Sequence, residues 1–219
     1  MQICFLLFDE ITALDAAGPY EVMARFPGAS VRFAGTRLGR VQSDGGLGLH
    51  VDVTLDEVRA ADILLVPGGF GARKLTHDTM LLAWLRALDQ TTSLTASVCT
   101  GAFLLAAAGL LQGRRATTHW AFLEQLGEHG VTCVRERVVR DGKYATAAGV
   151  AAGIDLGLSL ALELHGREVA EAIQLSIEYD PGPPLDAGNP ARVSPALRER
   201  VHRRAHARDG ELAQRESAI

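Results

Sequence analysis

Four short apolar runs punctuate the first hundred residues. Gln2–Phe8, Val31–Ala34, Ile63–Val66 and Leu94–Val98 are all of strand length, and they are continuous rather than alternating. Continuous runs suit strands buried on both faces. Between and after them the period lengthens. Leu81, Leu82, Trp84, Leu85 and Leu88 recur at helical spacing over Met80–Leu88. Gly101–Leu111 is Ala/Leu-rich and ends near Gly113, and Trp120–Leu126 is a shorter amphipathic segment. Strands alternating with helices predict an α/β fold: a doubly wound, mostly parallel sheet with helices on both faces.

Two segments break the alternation. Gln42–Val53 holds an S-D-G-G turn followed by alternating residues, which predicts an antiparallel hairpin arm. Val138–Tyr144 sets Asp141-Gly142 between β-prone residues, a signal for a two-residue hairpin. The apolar stretch Tyr144–Leu164 contains four glycines and Asp155. A charge at the centre of a span is costly in lipid, so the stretch is read as a buried helix rather than a membrane helix. From Asp180 the chain turns Pro/Gly-rich, and Ser194-Pro195 then reads as an N-cap with Pro at the first helical position. The expected organisation is one domain over 1–190 and a charged C-terminal helix and tail over 191–219. That helix is either a solvated surface helix or an arm against a second subunit.

Composition narrows the function class. The 219 residues are 47% hydrophobic but only 5% aromatic, so the core is built mainly of Ala, Leu and Val. A net charge of −4 gives no basic balance for nucleic acid or an anionic membrane, which leaves a small molecule or a protein as partner. The start carries no basic region before its apolar run, unlike a secretory leader. Three cysteines, Cys4, Cys99 and Cys133, make a poor disulfide framework, and free thiols in a reducing cytoplasm are the expectation. No close cysteine pair and no histidine set is read as a metal site, and no cofactor is expected.

Ser97-Val98-Cys99-Thr100-Gly101-Ala102 carries the strongest chemical signal. An apolar strand enters it and an apolar helix leaves it. A cysteine on such a turn stands above the sheet at a helix N-terminus, where backbone N–H groups favour an anion. The expectation is a nucleophile with a pKa below the free value of roughly 8.5. Cys4 and Cys133 lie in strand-like runs and read as core. Pro67-Gly68-Gly69-Phe70-Gly71 leaves the neighbouring strand, and its backbone, at Gly69 in particular, is a candidate oxyanion hole alongside the Thr100 N–H. Its spacing matches no phosphate-binding fingerprint. Asp15 is either a helix N-cap or a proton carrier for the cysteine, and Glu21, about two turns on, is either solvated or turned into the pocket. His119 is either a structural residue at a helix start or the partner in a Cys-His pair.

Together these segments resemble the ThiJ/PfpI superfamily, and within it the isonitrile hydratase branch. The resemblance rests on Leu14-Asp15-Ala16-Ala17-Gly18-Pro19-Tyr20-Glu21-Val22, Pro67-Gly68-Gly69, Val98-Cys99-Thr100-Gly101-Ala102, Ala116-Thr117-Thr118-His119-Trp120, Ala147–Asp155 and Glu178-Tyr179-Asp180-Pro181-Gly182-Pro183-Pro184. The first five also occur in amidotransferase-like domains of some AraC-type regulators, and the last tilts the reading to the hydratases. The resemblance implies a flavodoxin-like fold, a homodimer, and addition of water to an isonitrile to give an N-substituted formamide. It places the functional residues on Asp15, Cys99 and Thr100, with His119, Gly149 and Glu21 as pocket candidates. The protease-like branch has histidine where this chain has Thr100. A different cysteine-dependent hydrolase or deglycase, and a non-enzymatic ligand or redox sensor, stay open as alternatives.

Overall fold

The computed structural model describes the backbone of residues 1–216 and the side chains of residues 1–207. The elements run β1 (Gln2–Leu6), α1 (Ala13–Met23), β2 (Ser30–Gly35), β3 (Gly39–Gln42), β4 (Gly48–Val51), β5 (Val53–Thr54), β6 (Ile63–Val66), α2 (Phe70–Lys74), α3 (Thr79–Asp89) and β7 (Leu94–Val98). They continue with α4 (Gly101–Ala107), β8 (Arg115–Ala116), α5 (Leu123–Gly127), β9 (Thr132–Cys133), β10 (Val138–Asp141), β11 (Tyr144–Ala147), α6 (Ala152–His165), α7 (Arg167–Ser176) and α8 (Pro195–Glu216).

Seven strands form one sheet in the order β10-β11-β7-β6-β1-β2-β5. All neighbours are parallel except β10 and β11. β6, β7 and β11 are buried at every position, with small polar Thr95, Ser97 and Thr146 among the apolar residues of β7 and β11. Helices α1 and α6 pack together, as do α2, α3 and α4. The strand order reverses between β1 and β6, so a crevice opens at the carboxyl ends of β1, β6 and β7. The doubly wound sheet anticipated from the apolar runs is the one observed.

Local chemistry explains most boundaries. Asp78 starts α3 by accepting from the N–H groups of Met80 and Leu81, both at 3.0 Å. Leu81, Leu82, Leu85 and Leu88 then face inward while Met80 faces solvent. The hairpin arm is the antiparallel pair β3–β4. The second hairpin pairs Asp141 with Tyr144, so its two turn residues are Gly142 and Lys143, one position later than the Asp-Gly signal. Gly142 takes φ 57 there. Helix α4 stops at Ala107, short of Leu111, where Gly109 takes φ 79.

The expected buried helix over Tyr144–Leu164 is corrected. Tyr144–Ala147 is strand β11 beside β7, and the helix begins at Ala152. A continuous apolar run does not by itself separate a buried strand from a buried helix. Asp155 within that helix forms an ion pair with Arg137. Among the described residues no helix is long and apolar enough to cross a membrane.

The chain divides into two compact units, Met1–Glu178 and Tyr179–Ile219, ahead of the boundary at 190 read from composition. Within the second unit, Ser194 Oγ accepts from the Leu197 N–H at 3.3 Å and Pro195 opens α8, as the N-cap pattern predicted.

Candidate functional site

Three loops meet at the carboxyl edge of the sheet. The β1 exit leads into α1 with Asp15, the β6 exit carries Gly68 and Gly69, and the β7 exit carries Cys99 and Thr100. Cys99 has φ 54, a left-handed conformation unusual for a residue with a side chain. Holding it costs roughly 1–3 kcal/mol, supplied by its surroundings. The Cys99 N–H donates to the carbonyls of Ala147 and Ala148, both at 3.1 Å. The Cys99 carbonyl accepts from the buried Thr118 hydroxyl at 2.7 Å. Gly101 follows because any side chain there would collide with the Val66 and Pro67 carbonyls. The elbow is therefore locked from β11, from Thr118 and from β6.

Asp15 does not cap α1. Thr12 holds that position, and Asp15 lies within the first turn, fully buried. Its Oδ2 accepts from the Gly68 N–H at 3.0 Å. Its Oδ1 is buried with no nitrogen or oxygen donor on it. The carboxyl also receives the Cys99 thiol. Burial without a compensating cation pushes Asp15 up to about 7, with the hydrogen bonds from Gly68 and Cys99 opposing.

The thiol departs from expectation. Burial and the adjacent Asp15 carboxylate push Cys99 well above the ordinary thiol range, and the Val150 and Thr100 N–H groups oppose this only partly. Helix position argued for a lowered value. The nearby carboxylate and the loss of water outweigh the amide dipoles. Cys99 and Asp15 are best described as one unit holding a shared proton, S–H against carboxylate.

Thr100 and Gly69 engage each other. The Gly69 N–H donates to Thr100 Oγ1 at 2.9 Å, and that hydroxyl donates to the Gly69 carbonyl at 2.9 Å. The Gly69 N–H is thus committed and does not face a reacting atom as an oxyanion donor would. The donors at the sulfur are the Thr100 and Val150 amides. Thr100's hydroxyl braces the loop whose Gly68 N–H holds Asp15. A Cβ on Gly68 would stand 2.8 Å from both Asp15 Oδ2 and Thr100 Oγ1, so the glycine leaves room for the two side chains to close over it.

The remaining candidates divide. His119 is half-buried, and its Nδ1 accepts from the Ala121 N–H at 3.3 Å, a helix-start role that places the ring proton on Nε2. Burial lowers its pKa, and it is not among the groups that set the state of Cys99. Gly149 lies beneath the His119 ring, where a Cβ would be 2.5 Å from Cδ2. Glu21 does not join the site. It is exposed and paired with Arg25 at 2.8 Å, about 9 Å along the helix from Asp15. Cys4, buried on β1, is pushed up to about 12 and stays a core thiol.

Sequence reasoning missed Thr118 and Val150. Val150 takes φ 38, a strained value for a β-branched residue, and so delivers its N–H to the sulfur. Both residues stand in segments that carry the family resemblance, Ala116–Trp120 and Ala147–Asp155, but nothing in the sequence gave either one a role.

The chain is similar to several known proteins. The chain is 42% identical over 205 residues to isonitrile hydratase of Pseudomonas putida, spanning 94% of this chain and 90% of that one. It is 37% identical over 145 residues to the HTH-type transcriptional regulator CdhR of Pseudomonas aeruginosa, spanning 64% of this chain but 42% of the regulator. The crystal structure of a ThiJ/PfpI family protein from Pseudomonas syringae matches with a TM-score of 0.91 at 35% identity, over 94% of this chain and 86% of that one. The DJ-1/PfpI family pattern extends over residues 1–163, taking in β1, the Gly68 loop, the Cys99 elbow and the β11 exit, and the chain belongs to that family.

Proposed function

We propose that this protein hydrates isonitriles, R–N≡C, to N-substituted formamides, with Cys99 as nucleophile and Asp15 as the proton carrier. The observation that carries the reading is the buried Asp15 carboxyl, raised to about 7, against the Cys99 thiol. The similarity to the Pseudomonas putida isonitrile hydratase supports it.

The chemistry balances over one shared proton. At rest the pair holds S–H and carboxylate. The proton moves from sulfur through Asp15 to the terminal isonitrile carbon as the sulfur attacks that carbon. C–H and C–S bonds form, giving the thioimidate R–N=CH–S–Cys99, and Asp15 is left ionised. Water then attacks the thioimidate carbon while Asp15 takes its proton and passes it to nitrogen. Collapse of R–NH–CH(OH)–S–Cys99 breaks the C–S bond, releases R–NH–CHO and returns the hydroxyl proton to the pair. A carboxyl value near 7 suits a group that must act first as acid and then as base. The Thr100 and Val150 N–H groups stabilise the sulfur whenever it carries charge.

A peroxide-sensing role needs an accessible, low-pKa thiolate. The raised Cys99 thiol favours attack coupled to proton transfer over sensing by a standing thiolate. The test is direct. Purified protein given an alkyl isonitrile should form the matching N-alkylformamide with turnover, and Cys99→Ala should form none. Absence of formamide from the intact protein, or turnover by Cys99→Ala, would overturn the reading.

A further inference from the structure

Helix α8 carries two histidines four residues apart, His202 and His206. Their Nε2 atoms face each other at 3.2 Å, with ring centroids 4.3 Å apart. Both rings are half-buried. Residues four apart share a helix face, so this convergence is built into the spacing and needs no long-range folding.

The separation has a specific chemical meaning. Imidazole–metal bonds of about 2.0–2.1 Å placed over the observed 3.2 Å gap close an N–metal–N angle of about 100°. That lies between a square-planar and a tetrahedral angle, so one ion reaches both nitrogens once the rings, tilted by 44°, turn their Nε2 lone pairs to a common point. We propose that His202 and His206 chelate a divalent first-row transition-metal ion of the kind that prefers imidazole: copper, nickel or zinc. This revises the reading that the histidines outside the site have no metal-ligand spacing.

The surrounding charge decides whether the pair could hold a cation. Arg198, Arg200, Arg203, Arg204, Arg208 and Arg215 share the helix. Arg203 is turned one helical turn back toward Glu199, with Nε 3.6 Å from the carboxylate, on the side away from His206. Arg204 lies about 200° round the helix from His202, while Arg198 lies on the histidines' own face, one turn before His202, given 3.6 residues per turn. Exposed arginine charges are screened over about 8 Å at physiological salt, whereas a coordinate bond acts at contact. The arginines therefore weaken binding without abolishing it. Two histidines fill only part of a coordination shell, and water completes it. Among the described residues no group of three or more His, Cys, Asp or Glu gathers anywhere, so this pair has no protein competitor with more ligands there.

The test titrates the full chain with Ni²⁺ and with Cu²⁺ by calorimetry, alongside His202→Ala, His206→Ala and the exposed control His50→Ala. Alanine is the best helix former, so neither α8 variant loses affinity through a melted helix, and circular dichroism checks this. The proposal expects one ion per chain, at least tenfold weaker binding in each α8 variant, and no change in His50→Ala. Bound Cu²⁺ should show two nitrogen couplings by electron paramagnetic resonance. Unchanged affinity in either α8 variant, or loss of binding in Cys133→Ser instead, would overturn it and leave the histidine pair a packing contact of the helix.

Discussion

Asp15 and Asp89 are both buried aspartates at opposite ends of the same sheet, 0% and 2% exposed. Their environments differ in one respect that decides their roles. Asp89 accepts from Thr95 Oγ1 at 2.7 Å and from the Tyr144 hydroxyl at 3.1 Å, and it lies 3.0 Å from Lys143 Nζ. Its charge is matched by a cation and its lone pairs are used. Asp15 receives the Gly68 N–H and the thiol, has no cation, and keeps Oδ1 without a nitrogen or oxygen donor. A satisfied buried carboxylate holds the fold together. An under-satisfied one stores free energy that a reaction can draw on.

The comparison is broken most sharply at Asp15. Asp15→Asn should lower kcat by about 10²–10⁴-fold, the usual weight of a general acid–base group. The same change should stabilise the fold. Asp15 has its folded value near 7, above an unfolded value of about 3.9, so its favourable contribution is complete below pH 4 and lost as pH rises through 7. Removing the buried charge should therefore raise stability at pH 8 by about 2 kcal/mol, against a ceiling of roughly 4 from three pKa units, and change little at pH 4. Denaturant melts at the two pH values check it. In the unmodified protein kcat/KM should climb as pH rises through about 7, as the pair passes from two protons to one.

At the other end the pattern should invert. Asp89→Asn should cost about 2 kcal/mol of stability, less than the 3–5 typical of a fully buried pair because Lys143 is 30% exposed, while formamide turnover stays near normal. A large loss of activity in the folded variant would mean the two ends are not separable.

A smaller effect sharpens the assignment of the base. His119→Gln removes the Nδ1 acceptor for the Ala121 N–H and should cost about 1 kcal/mol, with less than tenfold loss in kcat. If that variant is inactive while Asp15→Asn turns over normally, the mechanism is a Cys-His one.

The sequence announced the sheet and the elbow but not the electrostatics. β6 and β7 were legible because strands buried on both faces carry apolar or small residues and no charge throughout. Cys99 was legible because a strand, a small turn and a helix succeed one another within a few residues. Tyr144–Ala147 was not, since its apolar run continues almost unbroken into α6. The role of Asp15 was open between cap and proton carrier, and the contact with Gly68, 53 residues away, settles its position. The Thr118 bond to the elbow and the Val150 amide at the sulfur depend on loops that only the folded sheet brings together. The lowered thiol value inferred from the helix N-terminus failed for the same reason: the burial and the Asp15 carboxylate that raise it arise only when the separate loops close around the sulfur.

The central claim is that Cys99 and Asp15 titrate as one unit, and alkylation tests it without any assumption about substrate. The rate of iodoacetamide modification at the Cys99 peptide, followed by mass spectrometry against pH, should have its midpoint well above the free thiol value in the unmodified protein. In Asp15→Asn, with the opposing carboxylate gone but the burial kept, the account predicts a lower midpoint. An unchanged or higher midpoint in Asp15→Asn would contradict it.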